Sequence, residues 1–109
     1  MDIYETHEKA FSGVSAYVVT DAKGQRVATI AFKFPKDGAG RLWCYLHVLG
    51  QEMQRSYASG YGYDKKSAAI CKAAYKLEDC PIKTALEKEG GYGWDRYMAD
   101  AGFNVFQAV

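Results

Sequence analysis

Four side chains at alternate positions, Arg41, Trp43, Tyr45 and His47, put a guanidinium, two aromatic rings and an imidazole on what strand alternation makes a single face. Arg55 and Tyr57 repeat the combination at the same spacing a few residues on, and Lys33 holds an outward position in an earlier segment. Rings interleaved with cations serve two purposes. They stack unpaired bases beside a phosphate track, and they anchor protein interfaces, where Trp, Tyr and Arg carry much of the binding energy. The partner-binding candidates are therefore Arg41, Trp43, Tyr45, His47, Arg55 and Tyr57. A competing reading buries Trp43 and Tyr45 under the N-terminal segment or the closing strand, because large rings are highly buried on average. Lys65, Lys66 and Lys72 form a second candidate set, for nucleic acid.

Other chemistry has less support. His7 and His47 lie far from any nucleophile motif, and the carboxylates are scattered without a metal-binding cluster. Cys44, Cys71 and Cys80 are odd in number, and Cys44 with His47 and Cys71 with Cys80 do not make the set of four a structural zinc needs. Two glycine-led pentapeptides, Gly-Tyr-Gly-Tyr-Asp at 60–64 and Gly-Tyr-Gly-Trp-Asp at 91–95, read as loops running into helices. A phosphate could sit at such a helix start, but a capping Asp64 occupies those donors and repels it, and the Gly-Lys-Ser/Thr ending of a nucleotide-binding loop is missing. The expectation is a protein that is not an enzyme, with no catalytic residue, no cofactor and no metal.

The elements that must hold these residues follow from periodicity. Residues 14–20 and 26–34 are rich in β-branched and aromatic types and are joined by Asp21-Ala22-Lys23-Gly24, a hairpin whose Gly24 supplies positive φ. Ala28, Ile30, Phe32 and Phe34 share one face of the second strand, with Thr29, Ala31 and Lys33 on the other. After Pro35 and a turn over 36–40 come a third strand at 41–49 and a polar fourth at 53–59, suited to a sheet edge. The period then changes. Asp64 caps an alanine-rich helix over 64–77 that buries Ile70, Ala73, Ala74 and Leu77, while Lys65, Ala69, Lys72 and Lys76 share a face whose three ammonium groups point at solvent. Pro81 opens a short helix to Lys88 that buries Ile82, Ala85 and Leu86. A third helix runs over 96–101, capped by Asp95 with Trp94 as a hydrophobic staple, as Tyr63 precedes Asp64. A closing strand occupies 103–109. The fold class is α+β, an antiparallel sheet of four or five strands with two or three helices packed on one face, in the order β-β-β-β-α-α-α-β.

Composition bounds the rest. A chain of 109 residues, 49% hydrophobic and 25% charged, fits one domain, with residues 1–12 as a mobile leading segment. The excess lies in nine tyrosines and eleven glycines. The acidic N-terminus lacks the basic region of a signal peptide, no apolar run is long enough for a membrane span, and an odd number of cysteines suits a reducing cytosol. A net charge of +1 weighs against a general nucleic-acid binder, which ordinarily carries a marked basic excess. From Glu78 onward, six acidic residues face three basic ones, a local excess that could meet a basic channel.

Two resemblances add expectations. Residues 59–69 followed by Lys72-Ala73-Ala74 resemble the last third of double-stranded-RNA-binding domains, where a strand leads through a glycine-bearing turn to a Lys-Lys-x-Ala-Lys helix start. That resemblance gives Lys65 and Lys66 the role of touching phosphates, although Ala69 stands where the family has its third lysine and a hairpin replaces its first helix. The pattern Gly-x-Gly-Tyr-Asp-Lys-x-Ser-Ala-Ala at 60–69, with Gly102-Phe103-Asn104-Val105-Phe106 near the end, is similar to small bacteriophage and prophage accessory proteins. What this implies is a protein that binds a host macromolecule, foremost a host protein complex, such as an inhibitor of a bacterial defence complex of the anti-CRISPR or anti-restriction type. An RNA or single-stranded DNA binding module is the alternative, and a homodimer is compatible with either.

Overall fold

The computed structural model describes residues 11–36, 40–59 and 64–108. Five strands, β1 (Phe11–Thr20), β2 (Arg26–Pro35), β3 (Leu42–Val48), β4 (Gln54–Ala58) and β5 (Asn104–Gln107), form one antiparallel sheet in the order β4-β3-β2-β1-β5. Helices α1 (Asp64–Tyr75), α2 (Pro81–Glu87) and α3 (Trp94–Asp100) are inserted between β4 and β5, with one 3-10 turn at Lys88–Gly91. The expected α+β class and element order hold. β1 starts at Phe11, so the last two residues expected ahead of the sheet belong to it, while residues 1–10, with His7, lie outside the described residues. The same is true of residues 37–39, of 60–63 with Tyr63, and of the Asp64 side chain that was expected to cap α1.

Local chemistry builds the meander. In the first turn the Asp21 carboxylate accepts from Lys23 N and Gln25 N, both at 2.9 Å, and Gly24 has φ 80° as its turn requires. Ala28, Ile30, Phe32, Leu42, Cys44, Leu46 and Val48 point to the helices and are buried, and burial alternates along β3, but on β2 the opposite-face Ala31 and Lys33 are buried as well, so that face is covered at β2. Opposite them α1 contributes Ala69, Ile70, Ala73, Ala74 and Leu77, α2 Ile82, Ala85 and Leu86, and α3 Trp94 and Met98. Each large fully buried aliphatic or aromatic side chain of this layer contributes about 1.5–3 kcal/mol by leaving water. Trp94 meets Tyr17 edge-on at 5.3 Å and Phe32 at 6.2 Å, tying α3 to the sheet centre.

Several expectations change, among them the end of α1, at Tyr75 where residue 77 was expected. α3 begins at Trp94 and its cap is Gly93 with φ 79°, so Asp95 is the second helical residue and not the cap. The buried indole fixes where the helix starts, and Asp95 still lies beside the positive end of the helix dipole. The α1 face assigned to solvent is mixed: Lys72 and Lys76 are exposed as expected while reaching β4 carbonyls, Lys65 is half-buried, and Ala69 between them is fully buried. The second helix also stops at Glu87, one residue earlier than expected.

Candidate functional site

The side of the sheet away from the helices carries the aromatic and cationic residues, and strand register stacks them in rows. Lys33 stands opposite Trp43, which stands opposite Tyr57; in the next row Ala31, Tyr45 and Arg55 are aligned. The Trp43 ring lies 4.9 Å from Tyr57 and 6.5 Å from Tyr45, tilted to both. Cations fill the gaps: Arg41 sits 4.6 Å above the Tyr57 ring, Arg55 5.8 Å above Trp43, and Lys33 5.3 Å from the Tyr45 ring. Trp43 and Tyr45 are half-buried, Lys33 is buried, and Arg41, Arg55, His47 and Tyr57 are exposed. β5 joins the sheet beside β1, at the edge remote from β3, so the closing strand does not cover these rings.

Two residues outside the candidate set extend this face. Leu49 is 69% exposed and Met53 47% exposed. They continue the outward parities of Tyr45 and His47 and of Arg55 and Tyr57, so the signal lay in the alternation itself. The turn carrying them is pinned. Leu49 N donates to Val27 O at 2.9 Å, and the Gln51 amide bridges to the link between α1 and α2, accepting from Glu78 N at 2.8 Å.

The α1 lysines do separate tasks. Lys72 donates to Tyr57 O at 3.2 Å and Lys76 to Arg55 O at 2.6 Å, so one pair of side chains a helical turn apart holds two outward carbonyls of the β4 edge. Lys65 donates to Gly40 O at 3.3 Å. Lys66 turns inward, donating to the Tyr17 hydroxyl at 3.2 Å with the Phe32 ring 4.9 Å away. The three lysines proposed for nucleic acid are thus split between β4, the segment before β3, and the β1–β2 aromatic layer. They do not form one track.

Glu52 and Glu78 line one pocket with Lys76 at the end of the β3–β4 region but do not pair with it. Among the described residues no carboxylate reaches ion-pair distance of Arg41, Arg55, Lys72 or Lys76; the ion pair seen there, Lys83 with Glu87 at 2.7 Å, lies within α2. Reactive chemistry has no comparable cluster. Burial pushes the Cys44 thiol far up from its ordinary value, which keeps it protonated. His47 is exposed, and among the described residues no hydrogen-bond partner orients its imidazole. No group of three or more His, Cys, Asp or Glu able to hold a metal ion occurs among the described residues, and no described helix is long and apolar enough to cross a membrane. Comparison with protein-family models, with curated proteins and with solved structures returns no match.

Proposed function

We propose that this chain is a non-enzymatic binding protein whose outer β3–β4 face docks on a host protein. The observation that carries the reading is the composition of that face: Arg41, Arg55, Trp43 and Tyr57 interlocked by ring and cation contacts, bordered by the exposed apolar side chains of Leu49 and Met53. Aromatic and arginine anchors with an apolar margin are the make-up of protein interface hot spots. Exposed Leu and Met give a nucleic acid nothing to pair with, which favours a protein over RNA or single-stranded DNA. The finer form of the proposal, a phage or prophage accessory protein acting in the bacterial cytoplasm as an inhibitor of a defence complex, rests on the resemblance of residues 60–69 and 102–106 to such proteins.

Affinity capture from a bacterial lysate, with protein and nucleic acid both analysed, tests the reading. A Leu49→Ser, Met53→Ser, Tyr57→Ala variant removes two exposed apolar side chains and a Tyr57 ring packed on Trp43, so its melting temperature should fall by up to about 15 °C with the fold retained. It should lose a protein that the parent chain retains. Equal capture by the variant, or an eluate holding nucleic acid in place of protein, would overturn the proposal.

A further inference from the structure

The docking reading leaves the partner's chemistry open, and the charges around β4 supply it. Arg41, Arg55, Lys72 and Lys76 have no carboxylate within ion-pair distance among the described residues. The two guanidinium groups lie against the Tyr57 and Trp43 rings, which pre-positions them. Each ammonium group of the lysine pair has three donors. One from each reaches a β4 carbonyl.

The spacing is regular. Lys72 and Lys76 are four residues apart on a helix, an axial separation of about 6 Å. The carbonyls they hold, on Arg55 and Tyr57, are two residues apart on a strand, about 6.7 Å. An extended chain repeats its same-side side chains at that distance too. The geometry points to an extended acidic segment of a partner protein lying along the seam between α1 and β4, with Asp or Glu at alternate positions facing Lys72, Lys76, Arg55 and Arg41. Because the lysines already hold the outward carbonyls of Arg55 and Tyr57, the segment is recognised by its carboxylates and not by adding a strand to the sheet. A single-stranded nucleic acid repeats its charge at a similar distance but also needs ring faces for its bases. Here Trp43 is packed against Tyr57 and Tyr45, and guanidinium groups lie over the Tyr57 and Trp43 faces.

The inference rests on the docking reading and is tested apart from it. Fluorescence anisotropy with labelled decaglutamate should show binding at low ionic strength that weakens as salt is added. Arg41→Gln with Arg55→Gln should weaken it about ten-fold. Neither guanidinium makes a hydrogen bond among the described residues, so the fold should be unaffected, as circular dichroism would verify. Lys23→Gln with Lys88→Gln removes the same charge elsewhere and should bind as the parent does. No binding of decaglutamate, equal loss in both double variants, or tighter binding of labelled decathymidylate would overturn the inference. The two failures are distinguishable. If the apolar triple variant loses its captured protein while the arginine variant keeps it, the docking face stands and the acidic segment falls; the opposite pattern separates them the other way.

Discussion

Gly91 has φ 88°, and a Cβ built on it would lie 2.3 Å from Ser67 O and 3.2 Å from Cys71 Cβ. The loop between α2 and α3 can press against α1 only because this residue lacks a side chain. Gly91→Ala should therefore cost about 2–4 kcal/mol, combining a left-handed backbone with a clash against a helix carbonyl. Two residues earlier Glu89 has φ 55°, and there Glu89→Gly should be neutral or stabilising by up to about 1 kcal/mol. Urea titration of the two variants would show the opposite signs. At this scale the alternation of β3 made the outward set from Arg41 to His47 legible, and it held Leu49 and Met53 as well. In sequence an apolar residue beside a turn reads as the end of a buried strand, and only the structure shows Leu49 and Met53 exposed.

Among the elements, the pairing of α1 with β4 has the largest consequence. An edge strand offers unpaired carbonyls to other chains, and here Lys72 and Lys76 occupy those of Arg55 and Tyr57. Lys72→Ala with Lys76→Ala should leave the helical signal intact but uncover the edge, seen as concentration-dependent dimers or larger species in light scattering where the parent shows less. No change in association would show that the lysines do not guard the edge. A helical wheel separates these lysines from the apolar stripe and so assigns them to solvent. It carries no information on which strand lies beneath them, and the full burial of Ala69 between them is a fact of packing. The start of α3 was misplaced for a related reason: Asp95 has the chemistry of a cap, but the contacts of Trp94 with Tyr17 and Phe32 draw the indole into the helix.

For the molecule as a whole, Cys44 is a reporter. It lies on β3 at the middle of the core with 0% exposure, between the sheet and the helical layer. A thiol reagent should reach it only through global opening, so its labelling rate should follow overall stability across variants. The thiol also links stability to pH. Above its ordinary value of 9.0 the unfolded chain releases this proton while the native chain keeps it, so the unfolded state binds fewer protons and stability falls as pH rises. The Cys44 contribution approaches about 1.4 kcal/mol per pH unit. Cys44→Ala, although less stable at neutral pH, should show a shallower decline above pH 9 in denaturant titrations.

The amino-acid sequence by itself determined the strand and helix periods, the α+β order and which side chains share a face, because these follow from local dihedral geometry and from the alternation of polar and apolar residues. It also placed cations beside rings on β3 and β4. Only the tertiary structure decided that β5 pairs with β1, away from the β3 and β4 rings, that Lys66 turns into an aromatic layer while Lys72 and Lys76 hold a strand edge, and that among the described residues no carboxylate comes within ion-pair distance of Arg41, Arg55, Lys72 or Lys76. Each of these joins residues far apart in the chain. Charge pairing and strand order are set by which surfaces meet when the core closes, and a period read along one segment does not contain that.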